Sequence, residues 1–243
     1  MSLSDDRFLS FSRLPEHGGT NPGHCLGPEM ASRAGDARDM AHNLPILYGI
    51  TQGLLAEAPP TTRHLLEIGC NDGTSTLALL KAAAEAGGHL DSIDLQEVPV
   101  AQALVDHFGL RDSWAFHHGD ARTVMRRLRD EGRRYLAIFL DGDHTYEGTA
   151  GELALAGELL LPGGVLFTHD NWCSAIEVDW DKPFGARAKA GSAQLAAEMM
   201  RGAEWAGVIF RFGCNLGVFR RRAEVLDELD ENLGAARAQG FIP

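Results

Sequence analysis

Short apolar runs alternate with stretches of helical periodicity from residue 64 onward, and this alternation dominates the chain. The apolar runs predict five strands, at His64–Gly69, His89–Asp94, Ser113–His118, Tyr135–Leu140 and Val165–His169. The segments between them predict helices over residues 73–86, 98–108, 121–131 and 146–160, with a turn at Pro162-Gly163-Gly164. Repeated strand–helix–strand units predict a parallel sheet with helices on both faces.

The pattern changes after the fifth strand. Residues 171–190 show no clear periodicity, and residues 192–200 predict a helix. Two further apolar runs, Trp205–Arg211 and Asn215–Arg221, are separated by a glycine-containing turn and predict a terminal antiparallel hairpin. A polar helix over residues 223–236 completes the prediction of an α/β fold.

The N-terminal part has a different composition. Residues 1–35 are rich in Gly, Pro, Ser and His and predict an irregular segment. Residues 37–57 look helical, but Pro45 is expected to break them into two short helices. We therefore divide the chain into a segment over residues 1–60, with lid or dimerisation helices, and a core domain over residues 61–243. A homo-oligomer through the N-terminal helices is a hypothesis.

Composition narrows the function classes. The 243 residues carry a formal net charge of -12, which argues against a general nucleic-acid-binding surface. No apolar run is long enough to span a bilayer, and the first residues lack the features of a signal peptide. The four cysteines are far apart and form no Cys-x-x-Cys pair. We therefore expect a cytoplasmic protein with reduced thiols and neither nucleic acid nor membrane as a partner.

The turn after the first strand, Glu67-Ile68-Gly69-Cys70-Asn71-Asp72-Gly73, is the first candidate site. Glycines at a strand-to-helix turn let the backbone approach a nucleotide. The turn does not fit the phosphate-binding loop, because no lysine follows Gly73, and it does not fit Gly-x-Gly-x-x-Gly. An ordinary turn whose glycines serve geometry alone remains the alternative.

Two acids follow the next strands. Asp94 ends the second strand, where a carboxylate can accept the hydroxyls of a ribose, although a solvated loop acid would look the same. Asp120 follows the third strand and can accept from an adenine amino group or simply cap the next helix.

A second candidate site combines the ends of the fourth and fifth strands. Asp141, Asp143 and His144 follow the fourth strand, and Asp170 and Asn171 follow the fifth. These strands are neighbours in the predicted sheet, so the groups reach one side of the pocket. Carboxylates with an amide oxygen suit Mg²⁺, Mn²⁺ or Ca²⁺. The alternative is a helix cap formed by Asp143 or Thr145.

The Glu-x-Gly-x-x-x-Gly turn, Asp94, Gly119-Asp120 and Asp141 together resemble the successive motifs of class I S-adenosylmethionine (SAM)-dependent methyltransferases. The resemblance covers roughly residues 60 to 221 and implies a Rossmann-like, seven-stranded sheet that binds SAM. Glu67 would order the turn. The implied cofactor-binding residues are Glu67, Gly69, Asn71, Gly73, Thr74, Ser75, Asp94, Asp120 and Asp141.

Phe-Leu-Asp followed by Asp-Asn resembles the divalent-metal-dependent O-methyltransferases of the catechol and caffeoyl-CoA type, which implies Asp141, Asp170 and Asn171 as metal ligands. Asp-Gly-Asp-His-Thr-Tyr-Glu-Gly resembles even more closely a bacterial branch that includes antibiotic- and sugar-tailoring enzymes. That comparison implies His169 as the alternative third ligand. The plant and animal enzymes carry a lysine as a candidate base, whereas here His144 occupies that neighbourhood and is suited to act as the general base.

The expected function is the transfer of a methyl group from SAM to a hydroxyl of a small molecule, assisted by a divalent cation, with Mg²⁺ the first choice. Asp141 and His144 are the expected catalytic residues. One alternative is a metal-free SAM-dependent methyltransferase with an N, C or carboxylate acceptor. Others are a SAM-binding enzyme with different chemistry and a catalytically silent module, because fold and cofactor motifs do not specify the reaction.

Overall fold

The computed structural model describes residues 43–170, 184–210 and 216–238. The predicted irregular segment over residues 1–35, most of the aperiodic segment over residues 171–190 and the candidate ligand Asn171 lie outside the described residues.

The described residues form one seven-stranded sheet. Its strands are β1 (His64–Ile68), β2 (His89–Asp94), β3 (Trp114–His118), β4 (Tyr135–Leu140), β5 (Leu160–Thr168), β6 (Trp205–Phe210) and β7 (Leu216–Arg221). The spatial order is β3-β2-β1-β4-β5-β7-β6. The first five strands are parallel, whereas β7 pairs antiparallel with both β5 and β6. The prediction of a parallel sheet with an antiparallel hairpin is confirmed.

Helices cover both faces of the sheet. They are α1 (Leu44–Glu57), α2 (Thr74–Glu85), α3 (Pro99–His107), α4 (Ala121–Asp130), α5 (Tyr146–Leu159), α6 (Phe184–Arg201) and α7 (Arg222–Ala238), with short 3₁₀ turns at Pro60–Thr62 and Arg111–Ser113. Alternate strand residues point to opposite faces. Leu65 packs with α1, α2 and α3, whereas Leu66 packs with α4, α5 and α6. The sheet therefore separates two apolar layers.

The first described helix begins beside the proline at which a break was predicted. Pro45 lies in the first turn of α1, where the missing N–H has no intrahelical partner to lose. The predicted helical residues 37–42, which precede this break, lie outside the described residues. Leu44, Leu47 and Leu55 are fully buried in the layer that contains α2. The described part of the N-terminal segment thus packs on the core.

The predicted starts of two elements, β5 and α6, were wrong. The segment Pro162-Gly163-Gly164 was predicted as a turn, but β5 begins at Leu160 and pairs with Tyr135 through a register shift in the ladder. Such an irregularity lets a strand accommodate residues that would otherwise end it. Helix α6 begins at Phe184, earlier than the predicted residue 192. Within the described ranges, no helix combines the length and the apolar character that crossing a membrane requires.

Candidate active site

A cavity of about 890 Å³ lies beyond the carboxyl ends of the central parallel strands. Ile68, Leu140 and Thr168 are aligned across β1, β4 and β5, so the loops that follow these strands meet at one edge. Open α/β sheets bind their ligands at this edge. The cavity is lined by Ile68, Gly69, Cys70, Asn71, Asp72, Thr74, Ser75, Ile93, Asp94, Leu95, Gln96, Glu97, Val98, Asp120, Ala121, Arg122, Asp141, Gly142, Asp143, His144, Glu152, His169 and Asp170.

The two glycines of the first turn are required by the backbone. Gly69 and Gly73 have φ angles of 83° and 91°, which favour glycine. A Cβ at Gly69 would overlap the carbonyl oxygen of Asp141, and one at Gly73 would lie 2.8 Å from Cα of Ala101. Gly69 therefore lets the turn after β1 pack directly against the end of β4. Gly73 lies off the cavity wall and allows α3 to approach the start of α2.

Glu67 is fully buried beneath this turn rather than on the cavity wall. Its carboxylate accepts hydrogen bonds from the hydroxyls of Ser75 (2.6 Å), Thr76 (2.8 Å) and Ser92 (2.7 Å). Burial raises the pKa of Glu67 to about 7, although the three hydroxyl donors act in the opposite direction. Glu67 thus ties β1 to the start of α2 and to β2, as expected for a residue that orders the turn.

Asp94 and Asp120 both line the cavity and both bind the protein's own donors. Asp94 Oδ2 accepts from the backbone N–H groups of Cys70 (3.1 Å) and Asn71 (2.9 Å), and Oδ1 accepts from that of Gln96 (2.9 Å). Asp120 Oδ1 caps α4 by accepting from the backbone N–H of Thr123 (2.9 Å). For Asp120, capping and facing the cavity are compatible.

Asp141, His144 and Asp170 form a compact cluster at the other end of the cavity. His144 Nε2 lies 3.5 Å from Asp141 Oδ1, and His144 Nδ1 lies 3.2 Å from Asp170 Oδ2. One ligand atom from each residue lies within 4.8 Å of the others, a spacing that a single metal ion can bridge. Burial works to raise the pKa of Asp141, but hydrogen bonds from His144 and from His169 outweigh it and hold this pKa below its ordinary value.

His169 lies behind the cluster. Its Nδ1 is 3.2 Å from Asp141 Oδ1, and its Nε2 is 3.4 Å from Asn43 Nδ2, at the start of α1. Burial would lower the pKa of His169, but the hydrogen bond to Asp141 and the charges of Asp141 and Asp170 raise it above its ordinary value. His169 thus connects α1 to the carboxylates.

Backbone strain occurs at both ends of the cavity. Among the described residues, the two non-glycine positions with positive φ are Asn71 (44°) and Asp170 (54°), and both line the cavity. Asn and Asp tolerate this conformation better than most residues, but it still costs free energy. Strain of this kind often marks a functional site.

Glu152 is a wall residue that the sequence did not single out. It lies on α5, is 2% exposed, and accepts a hydrogen bond at Oε1 from the backbone N–H of Asp143 (3.2 Å). Burial raises the pKa of Glu152 to about 7 despite this backbone donor. Nothing in its sequence context, the middle of a helix, distinguishes it from a solvent-exposed glutamate.

The structure therefore gathers most of the predicted site around one cavity. Thr74, Ser75 and Asn71 line the wall with Gly69, Asp94 and Asp120, and Asp141, His144, His169 and Asp170 close the far end. Asn171 lies outside the described residues. Sequence reasoning assigned His144 only as a base, whereas its two ring nitrogens face both carboxylates. It also gave no role to Glu152.

A family described as "Methyltransferase domain" matches residues 66–171, rather less than half of the chain. No curated protein matched the sequence. The matched range begins within β1, contains β2 to β5 and includes the candidate residues from Glu67 to Asn171.

Several solved structures share the fold. The O-methyltransferase TomG from Streptomyces achromogenes, involved in tomaymycin synthesis and solved with SAM, has a TM-score of 0.63 at 17% identity over 79% of this chain and 88% of its own. An O-methyltransferase from Bacillus cereus, solved with S-adenosylhomocysteine (SAH), has a TM-score of 0.63 at 17% identity over 89% and 96%. The SAH-bound methyltransferase PaMTH1 from Podospora anserina has a TM-score of 0.62 at 15% identity over 91% and 97%.

At these identities the structural likeness extends to the fold, which does not by itself specify a function. Together, the family match and the fold confirm the resemblance to class I SAM-dependent methyltransferases. Residues 66–171 are thus similar to a methyltransferase domain of that class.

Proposed function

We propose that the chain transfers a methyl group from SAM to a hydroxyl group of a small molecule, with the help of a divalent cation. The observation that carries this proposal is the shared cavity: a glycine turn suited to a nucleoside lies at one end, and a carboxylate–histidine cluster lies at the other. The volume of about 890 Å³ falls within the range of small-molecule sites. It suits a cofactor together with a small acceptor.

The cofactor end fits SAM in its donors, its acceptors and its space. Gly69 lines the cavity, and its missing Cβ lets the turn pack on the backbone of Asp141. Asp94 would accept the ribose hydroxyls through lone pairs that its three backbone donors leave available. Asp120 would face the adenine while it continues to cap α4.

The cluster fits a divalent cation in its chemistry. Carboxylates are common ligands of Mg²⁺ and Mn²⁺, and an imidazole is more often a ligand of transition metals. Asp141, Asp170 and His144 would hold the ion, and His169 would orient Asp141 from behind through the hydrogen bond at 3.2 Å. Bound there, the ion would fix the acceptor hydroxyl and lower its pKa.

The other contributions come from positioning. The sulfonium of SAM is an excellent leaving group, so the transfer needs little covalent help. Holding donor and acceptor in line can supply most of the acceleration. Gly69 is the point of contact between the two ends, because its turn packs on the backbone of Asp141. The distance between a bound methyl donor and the cluster would thus be set by packed backbone.

The test is a turnover assay with isotopically labelled SAM and a panel of small catechols, phenols and hydroxylated sugars. SAH release and the mass of the product report methyl transfer. We expect turnover that EDTA abolishes and that Mg²⁺ or Mn²⁺ restores. Absence of SAM and SAH binding in calorimetry would overturn the proposal as a whole.

A metal-free methyltransferase is the second candidate, and one observation favours it. His144 already lies between two carboxylates, at 3.2 Å and 3.5 Å, an arrangement that can orient an imidazole as a general base. In this form His144 would accept the proton of the acceptor. Turnover that persists in EDTA and is lost in His144→Gln would select this candidate over the metal-assisted one.

The proposed partner is a small hydroxylated molecule. Neither a nucleic acid nor a membrane is proposed as a partner. A cytoplasmic location and a homo-oligomer through the N-terminal helices are part of the same proposal. Size-exclusion chromatography with light scattering would test the oligomer.

A further inference from the structure

Glu152 has a buried carboxylate oxygen with no hydrogen-bond partner among the described residues. The residue is 2% exposed, and Oε1 accepts the backbone N–H of Asp143. Within the described residues, no hydrogen-bond donor reaches Oε2. A buried acceptor without a donor is costly, so such groups in folded proteins usually serve a ligand or a bound water.

The position of Glu152 relative to the cavity is well defined. It projects from α5 beneath the turn after β4, where a Cβ at Gly142 would lie 2.8 Å from Oε1 and 3.3 Å from Oε2. Arg122, on α4, lies against the adjacent Gly151, since its Cδ would be 3.0 Å from a Cβ there. Glu152, Gly142 and Arg122 all line the cavity. Glu152 thus lies beneath the turn at Gly142, on the part of α5 that faces the start of α4.

We assign each part of SAM to a region of the cavity, an assignment that rests on the proposed function. The sulfonium must face Asp141 and Asp170, and the ribose belongs beside Asp94 and the glycine turn. The remaining wall, formed by Asp120 to Arg122, Gly142, Asp143 and Glu152, is left for the base. Adenine presents one strong donor there, its exocyclic amino group, whose two hydrogens can serve two acceptors, Asp120 and one more.

We propose that Glu152 is a cofactor-specificity residue whose Oε2 accepts a hydrogen bond from the exocyclic amino group of adenine. The contact would give the buried oxygen its missing partner. It would also make the pocket discriminate an amino group from a carbonyl oxygen at position 6 of the purine, because two acceptors that face each other repel. Sites built to hydrogen-bond a ligand group reject analogues that lack it.

The experiment compares SAH with S-inosylhomocysteine, which carries a carbonyl oxygen in place of the amino group. Calorimetry at pH 8 gives the affinity ratio for the wild type and for Glu152→Gln. We expect the wild type to prefer SAH at least about tenfold. Glu152→Gln should reduce this ratio at least fivefold or reverse it, because the glutamine amide can keep its oxygen on Asp143 and turn its N–H groups toward the ligand.

The control is Glu147→Gln, which makes the same charge change on the exposed first turn of α5 and should leave the ratio unchanged. If Glu152→Gln does not fold, Glu152→Asp keeps the charge but withdraws the carboxylate, and it should weaken SAH binding more than S-inosylhomocysteine binding. A ratio that stays within about twofold of the wild type in the folded variant would overturn the inference and would indicate that a water occupies Oε2. If neither nucleoside binds the wild type, the proposed function fails instead.

Discussion

The carboxylates at the two ends of the cavity have different kinds of hydrogen-bond partner. At the proposed cofactor end, Asp94 accepts three backbone N–H groups, Asp120 caps a helix, and Glu67 accepts three hydroxyls beneath the turn. At the other end, Asp141 and Asp170 have the imidazole of His144 between them, and Asp170 adopts a positive φ of 54°. The carboxylates of the first end accept backbone and hydroxyl donors, whereas those of the second end are paired with histidine side chains.

The difference indicates a division of labour. A carboxylate that is already bonded to backbone and hydroxyl donors holds the shape of a turn and does so whether or not a ligand is present. Two carboxylates that share a histidine in a mostly buried site repel each other, and a cation would relieve that repulsion. The cofactor end is therefore a preformed frame, and the cluster is suited to bind a charged ligand.

Asp170→Asn should have the largest effect, because it removes a charge from the cluster and leaves the proposed cofactor end unchanged. Asparagine tolerates positive φ, so the backbone at this position should be retained, while one charged ligand is lost. We expect a loss of activity of roughly a thousandfold, as for the removal of metal-based stabilisation. SAH binding should remain within about threefold of the wild type, because the cofactor end is untouched.

Metal titration of the same variant separates the two candidate functions. Mn²⁺ binding measured by calorimetry should be lost in Asp170→Asn and kept in Asp130→Asn, a control at an exposed carboxylate on α4. Unchanged Mn²⁺ affinity in Asp170→Asn would contradict a metal site in the cluster.

Gly69→Ala should disrupt the packing of the turn after β1 against the end of β4. The new Cβ would overlap the carbonyl oxygen of Asp141, and its φ of 83° adds strain. We expect about 3 kcal/mol of lost stability and SAH binding weakened roughly a hundredfold. Thermal melting and calorimetry measure the two effects.

Gly109→Ala is the matched control for this substitution. Gly109 also has a positive φ, 65°, but no atom lies within 4 Å of a Cβ built there. It should show the conformational penalty alone, about 1 kcal/mol. Equal losses of stability in the two variants would show that crowding at Asp141 is unimportant.

Much of the fold could be predicted because chemistry changes sharply at the strand ends. Strands β2 and β4 were predicted to the residue, since each apolar run is bounded by polar residues or glycine. The failure at Pro162 has a tertiary cause. Strand β5 begins at Leu160, which pairs with Tyr135, so Pro162 lies inside a strand rather than in a turn. Local residue preferences carry no information about tertiary packing or strand pairing.

The candidate site divides in the same way. Asp141 and Asp170 could be picked out because each comes at the end of a buried strand. Glu152 could not, because a glutamate within a helix becomes a wall residue only when α5 packs beneath the turn at Gly142. The second nitrogen of His144 facing a carboxylate is also a product of packing between β4 and β5.

Glu67→Gln tests the frame through the pH dependence of stability. Burial raises the folded pKa of Glu67 to about 7, above the unfolded value of 4.5, so between these values the native state binds more protons. The wild type should therefore lose stability through this group as the pH rises from 5 to 8, by about 2 kcal/mol. Glu67→Gln lacks this loss, so the difference in unfolding free energy, wild type minus variant, should fall over that range. Urea denaturation at each pH measures it, and a constant difference would show that the buried carboxylate does not titrate in this window.

Asp94→Asn is the mildest test and asks whether the frame also binds the ligand. The amide would place N–H groups opposite the backbone donors of Cys70, Asn71 or Gln96, and it would lose one acceptor for the ribose hydroxyls. We expect SAH affinity to fall about tenfold, since one hydrogen bond to a charged group contributes about 1.5–3 kcal/mol. Mn²⁺ affinity should stay unchanged, the reverse of the pattern expected for Asp170→Asn, and Asp112→Asn at an exposed site should alter neither. If Asp94→Asn bound SAH normally but lost stability, the role of Asp94 would be structural only. The proposed cofactor end would then be a frame that shapes the turn, and ligand binding by carboxylates would be confined to the cluster.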